Sequence, residues 1–303
     1  MDKIYVREFL IFLVSHPSLA PFRKWLLDIN ADELLYQKLN EKESDFVQEK
    51  ILMILSKYLL IIDKVSVVLQ RLATKNKILY ILNLGLDTQK VSLSSESFKF
   101  IYTLCQLISD SERMKSNMSE IRSLLTDNCE RLCNFVQRDH EFFSDKQYAI
   151  ELIILVVSYM KDVERYIFDF ARFLLGLFIE LKTNTFAHRS FLRLFRVLTA
   201  FKTDFTQFVN STNLMNLIVS LIDQKENLLS SYWGHIYKIS GILNKIIEDN
   251  QSDLECDEKW QKYIEEVYKV QHKIIKKTYG GATPKTDFDE SDDSNSGSIF
   301  YHS

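Results

Sequence analysis

Ser144–Lys202 reads SDKQYAIELIILVVSYMKDVERYIFDFARFLLGLFIELKTNTFAHRSFLRLFRVLTAFK, and its periodicity decides the fold class. Apolar residues recur at spacings of three and four, in runs separated by polar clusters. That period belongs to helices with one buried face. The stretch holds a single glycine, Gly176, and no proline. These two residues are the strongest local breakers of regular structure.

The same pattern continues outward on both sides. No proline occurs from Phe22 to Thr283, and the glycines there are Gly85, Gly176, Gly234, Gly241, Gly280 and Gly281. A sheet protein of this size needs far more turn residues. The expectation is therefore an all-α chain. Helices are predicted over residues 3–14, 20–29, 32–40, 45–61, 63–73, 76–86, 95–110, 117–138, 145–160, 162–182, 187–202, 212–223, 230–249 and 257–279. Ser144 with Gln147 forms a Ser-x-x-Gln capping box, and Asp257 is placed to cap the helix carrying Trp260 and Tyr263. His16-Pro17 and Ala20-Pro21 bracket a turn between the first two helices, because a residue before proline leaves the α region. Ser111–Ser119 reads as an exposed loop.

No repeat of fixed period is present. Helix pairs of roughly 30 to 45 residues fit an armadillo/HEAT-like α-solenoid of stacked helices, with a compact bundle as the alternative. The expected division is one helical domain over residues 1–279 and a disordered acidic tail over 280–303, GGATPKTDFDESDDSNSGSIFYHS. In that tail Ser291 and Ser294 sit among Asp289, Glu290, Asp292 and Asp293 and resemble sites for an acid-directed kinase. The terminal SIFYHS is apolar enough to be a docking peptide.

With 46% hydrophobic residues in 303, the chain can fill a sizeable core, and its 21 Phe and 14 Tyr suit the gaps between stacked helices. A net charge of −3, with both signs interspersed, argues against nucleic-acid binding through a general basic field. Cys105, Cys129, Cys133 and Cys256 read as buried free thiols in a reducing compartment; no second ligand pair stands near Cys129 and Cys133. The N-terminal apolar run Phe9–Val14 is too short for a signal peptide. Leu152–Val157 and Phe173–Phe178 fall short of a membrane span. These features predict a soluble cytoplasmic protein, with the nucleus as a second location.

Catalytic patterns are missing: no phosphate loop, no GxGxxG, no HExxH and no GxSxG. His16, His140, His188, His235, His272 and His302 are scattered. Glu265-Glu266 and Glu248-Asp249 lie on polar faces where basic residues one turn away can meet them. No enzyme activity, cofactor or metal is expected. Two basic stripes remain. Lys269, His272, Lys273, Lys276 and Lys277 line the last helix, where cations suit a C-terminus and could meet an acidic partner or the chain's own tail. Arg189, Arg193 and Arg196 recur at four and three residues, opposite Leu192, Phe195, Val197 and Leu198, which are expected in the core. Such a row is equally a solvated face or a surface for a carboxylate-rich partner.

Phe186–Lys245 carries a family resemblance. A basic leucine-rich helix (Arg189–Ala200) is followed by FVNSTNLMNLIVSLI and then by SSYWGHIYKISGIL. This order resembles the SAPS-domain family, regulatory subunits of protein phosphatase 6. Asn210-Ser211 stands at the family's E-S-G turn and Leu214–Ile222 at its apolar helix. Tyr232, Trp233 and His235 stand at its N-N-F-L-H segment or, with Gly234, at its later G-H-L segment. The phosphatase 4 regulatory subunit 3 type has similar helical patterns. The resemblance implies a non-catalytic armadillo-like scaffold that binds a Ser/Thr phosphatase catalytic subunit and helps direct it to substrates. Arg189, Arg193, Arg196, Tyr232, Trp233 and His235 would be its partner-binding residues. The alternative is an armadillo-type adaptor in transport or complex assembly, with no phosphatase link.

Overall fold

A computed structural model describes residues 20–41, 44–61, 65–109, 114–138, 144–223, 230–249, 254 and 256–276. The helix expected at 3–14, the His16-Pro17 turn, the tail at 280–303 with Ser291 and Ser294, and the Ser144 cap side chain lie outside them. The described residues are predominantly helical and include no strand. The chain divides into two compact units, residues 1–159 with 165–170 and residues 160–164 with 171–303.

The first unit contains α1 (Ala20–Asp28), α2 (Ala31–Asn40), α3 (Asp45–Ile61), α4 (Val65–Leu72), α5 (Lys75–Asp87), α6 (Val91–Ser109), α7 (Lys115–Asp127), α8 (Cys129–Gln137) and α9 (Ser144–Val157). Pro21 falls in the first turn of α1, where its missing N–H costs nothing. The central element is α6, which packs against α3, α5 and α9. Its serines are the reason it can be surrounded so closely. Ser94, Ser95 and Ser97 are buried with Phe98, Phe100 and Leu104, and the Ser94 hydroxyl donates to the Gly85 carbonyl at 2.7 Å. A Cβ on Gly85 would stand 3.0 Å from both Phe98 and Ser97, so α5 and α6 meet where only glycine fits without a shift.

A buried ion pair fixes the start of this unit. Asp32 is fully buried, and Arg71 of α4 grips it with Nε–Oδ2 at 2.8 Å and Nη2–Oδ1 at 2.6 Å. The remaining Arg71 nitrogen donates to Asn30 Oδ1 at 2.5 Å. Asn30 itself holds the left-handed conformation between α1 and α2, φ 52°, which asparagine tolerates. Lys77 adds Glu33 and the Arg71 carbonyl to the same network.

Two sequence expectations change here. The helix predicted at 117–138 is two helices, α7 and α8, broken at Asn128, whose amide donates back to the Leu124 carbonyl at 2.9 Å. Ser111–Ser119 is not all exposed loop, because α7 starts at Lys115 and Met114 and Met118 are buried.

Helix α10 (Arg165–Glu180) belongs to the first unit through Phe170 and to the second thereafter. The second unit continues with α11 (Thr185–Leu198), α12 (Lys202–Ser211), α13 (Leu214–Asp223), α14 (Ser230–Glu248), α15 (Glu258–Tyr263), a π segment (Ile264–Tyr268) and α16 (Lys269–Lys276). Asn184 caps α11 by accepting from the Phe186 and Ala187 N–H groups, and Asp257 caps α15 through the Trp260 N–H at 2.8 Å, as expected for Asp257. Helix α12 is an element the periodicity did not predict. Val197, expected in the core, is half-buried, whereas Leu192, Phe195 and Leu198 are buried.

The π segment has a definite job. Tyr263 and Tyr268 are five residues apart, about 140° around an α-helix. Widening to i→i+5 bonds, as in Lys269 N–H to the Ile264 carbonyl, returns both rings to one face. Both then meet α14. The Tyr263 hydroxyl bonds Ser240 at 2.8 Å. A Cβ on Gly241 would lie 2.6 Å from the Tyr268 hydroxyl, so Gly241 leaves room for that ring.

Candidate functional site

The capped helix α11 packs against α14, and their contact builds a cluster of rings. Phe178 of α10 lies 4.9 Å from His188 and 5.3 Å from Tyr232 between centroids. His188 in turn lies 5.1 Å from Tyr232 and 5.6 Å from His235. His188 and Tyr232 are fully buried, and Trp233 is 6% exposed. Four buried polar atoms here, both His188 nitrogens, Tyr232 Oη and His235 Nδ1, have no hydrogen-bond partner among the described residues.

Burial without partners shows in the acid–base chemistry. Desolvation, with His235 alongside, lowers the His188 pKa from 6.5 to about 4. The carbonyls of Leu181 and Phe178 favour its charged form slightly, but neither meets the ring in hydrogen-bonding geometry. His235 is also lowered, by desolvation first and then by Lys238, Arg189 and Arg196. Burial pushes Tyr232 up to about 12. Each unpaired buried group costs about 1–3 kcal/mol, while each buried large aromatic returns about 1.5–3 kcal/mol. With Phe178, Phe191, Tyr232 and Trp233 all buried around His188, the packing gain is of the same size as the polar cost. His188 is a core histidine at neutral charge above its depressed pKa.

Above this core lies a cationic face. The three charges acting on His235 are Lys238 on its own helix and Arg189 and Arg196 on α11. Arg189 and Lys238 are exposed, while Arg196 and His235 are half-buried. None of Arg189, Arg196 and Lys238 has a carboxylate within ion-pairing distance among the described residues. Arg193, between the two arginines, is half-buried and already has a partner. Nothing lies within 4 Å of where a Gly234 Cβ would be, so the face of α14 that carries Gly234 and Lys238 is open. Gly234 stands inside α14 rather than at its start. The structure thus brings Arg189, Arg196 and His235 together and adds Lys238, which sequence reasoning missed. The i,i+3 spacing of His235 and Lys238 was the available signal. Tyr232 and Trp233 lie beneath the face and offer it support, not area.

A groove of about 1010 Å³ runs between α13 and the α15–π helix. Asn213, Asn216 and Ser220 line one wall and Lys262, Tyr263 and Glu266 the other. Its charges cancel, since Lys262 and Glu266 stand 3.9 Å apart. On α16, Lys269 pairs with Glu265 at 2.5 Å, as the spacing predicts, and His272 stacks on Tyr268. Among the described residues, no three His, Cys, Asp or Glu side chains are close enough to hold a metal ion. No helix there is long and apolar enough to cross a membrane. Cys105, Cys129 and Cys133 are buried free thiols; Cys256, expected to be buried, is only half so. Comparisons with family profiles, curated proteins and solved structures each give no match.

Proposed function

We propose that this chain is a non-catalytic helical scaffold of armadillo/HEAT-like solenoid type, acting as a regulatory subunit that binds a Ser/Thr phosphatase catalytic subunit and directs it to substrates. The observation carrying the binding role is the open face of α11 and α14, where Arg189, Arg196 and Lys238 stand without carboxylate partners beside His235. Unpaired cations on an open surface favour an acidic protein partner and speed its encounter. Guanidinium groups grip carboxylates bidentately, which adds orientation to attraction. Support for the phosphatase class is narrower. It rests on the order of the basic helix α11, the polar break near Asn210-Ser211, the apolar helix α13 and the Tyr232–His235 segment of α14.

The test is recovery of the tagged full chain from its native cells, with wild type and an Arg189→Gln/Arg196→Gln variant in parallel. The reading expects a Ser/Thr phosphatase catalytic subunit with the wild type and its loss with the variant. Absence of any such subunit from clean wild-type replicates refutes the phosphatase assignment. An adaptor without phosphatase would instead recover other acidic partners that the same variant loses.

A further inference from the structure

The cationic face also has a candidate occupant within the chain. We infer that the acidic segment Asp287–Asp293 folds back onto the face formed by Arg189, Arg196 and Lys238 and covers it until a partner displaces it. The inference deepens the partner-face reading and rests on it.

Charge complementarity comes first. Asp287, Asp289, Glu290, Asp292 and Asp293 place five carboxylates within seven consecutive residues. The face presents three cations with no carboxylate of their own among the described residues, plus the half-buried His235. Nearer the tail, Lys273 of α16 offers one exposed cation, against three on the face. Lys269 already pairs with Glu265 at 2.5 Å, and Lys262 has Glu266 at 3.9 Å. The groove between α13 and α15 mixes Lys259 and Lys262 with Asp257 and Glu266, so it offers an acidic strand no net attraction.

Reach is sufficient. Tyr263 bonds Ser240, about 7 Å along α14 from His235, and Lys276 lies about 20 Å beyond Tyr263 along its helix. With about 10 Å between helix axes, the path from Lys276 to the face is at most about 40 Å. The chain from Lys276 to Asp293 spans up to about 56 Å when extended. A tether of this kind gives an effective concentration on the order of millimolar, so weak charge pairing is enough to hold the segment. It is also weak enough for a protein partner to displace. The Debye length of about 8 Å at physiological ionic strength, against about 3 Å at 1 M, makes the contact sensitive to salt. Phosphate on Ser291 or Ser294 would add about −1.5 to −2 charges each and tighten it.

A spacer-free carbodiimide, which joins amine to carboxylate, tests the contact on the full chain. Tryptic digestion after Lys285 releases the acidic segment as one peptide beginning at Thr286. The inference expects Lys238 joined to that peptide within one molecule, shown by mixing isotopically heavy and light chains. In the Arg189→Gln/Arg196→Gln variant, which keeps Lys238 and the tail, the yield should fall about tenfold, as two lost charge contacts of up to about 1 kcal/mol each allow. Recovery of the peptide on Lys269 and Lys273 but never on Lys238 overturns the inference. So does a Lys238 link found only between molecules, or one insensitive to the arginine changes. The two readings fail separately. Partner loss in the arginine variant without any Lys238 link leaves the binding face and removes the cover. A Lys238 link with unchanged partner recovery leaves the cover and removes the binding face.

Discussion

Replacing His188 by phenylalanine should remove an acid-sensitive component of stability. The ring is fully buried against Phe178 and Tyr232, and its pKa falls from 6.5 to about 4 on folding. The unfolded chain therefore binds a proton that the folded chain refuses between those values. Stability is complete above about pH 6.5 and declines as pH falls toward 4, where the loss levels off. The drop of about 2.5 pKa units corresponds to roughly 3 kcal/mol at the plateau, with a slope approaching about 1.4 kcal/mol per pH unit in between. In His188→Phe that slope disappears. At pH 7.5 the variant should be at least as stable as wild type, because removing two unpaired nitrogens gains about 2–6 kcal/mol and the larger ring costs about 1–3 kcal/mol in packing. Urea denaturation followed by circular dichroism at pH 7.5, 6.0, 5.0 and 4.5 gives the comparison. The readout is the difference between the two chains' pH slopes, so titration of other groups cancels. Parallel slopes across this window would refute the burial argument for His188.

Three further outcomes follow from the packing. Asp32→Ala strands the Arg71 guanidinium in a partly buried site and should cost about 3–5 kcal/mol, whereas Asp32→Leu/Arg71→Met should recover much of it; equal losses in chemical denaturation would contradict a buried pair. Gly85→Ala pushes a methyl against Phe98 and Ser97 and should destabilise by about 1–3 kcal/mol, while Gly234→Ala, in open space within α14, should stabilise by about 0.5–1 kcal/mol; opposite signs in paired thermal melts are required. Burial pushes the Cys105 thiol up to about 12, and Cys133 is raised by its Cys129 hydrogen bond and by burial, so native Cys256 should react with a disulfide reagent well before the others. Mass mapping of the first labelled thiol decides that point.

Helix type was legible wherever one face is continuously apolar. Asp45–Ile61 is bounded as the periodicity predicts, because Ile51, Leu52, Leu55, Tyr58 and Leu59 all turn inward. Lys202–Ser211 escaped because only Phe205, Phe208 and Val209 are buried in it, too few for a period to show. The break at Asn128 escaped because apolar spacing runs through it and the backbone change uses an asparagine amide, not glycine or proline. At the site, the arginine row was readable as a face, but its openness depends on what packs beside it. His188 could have been placed in the core, since it shares a stripe with Phe191, Leu192 and Phe195. Tyr232 likewise shares one with Ile236, Ile239 and Leu243. The family resemblance drew attention to Tyr232 as a binding group, where helical phase places it inside.

The π segment makes the last helix sensitive to hydrogen-bond register in a way its sequence hides. One turn of i→i+5 bonding at Ile264–Tyr268 is equivalent to a single inserted residue in an α-helix. Closing that turn as ordinary α with every residue kept, as a substitution favouring i→i+4 bonds would do, leaves helical content almost unchanged. Everything after it would turn by about 100°, so Tyr268 would leave the notch above Gly241, and Val270 and Ile274, now exposed, would point elsewhere. The hydrogen-bond register of one helical turn thus sets which way the residues after it face, independently of any charge they carry.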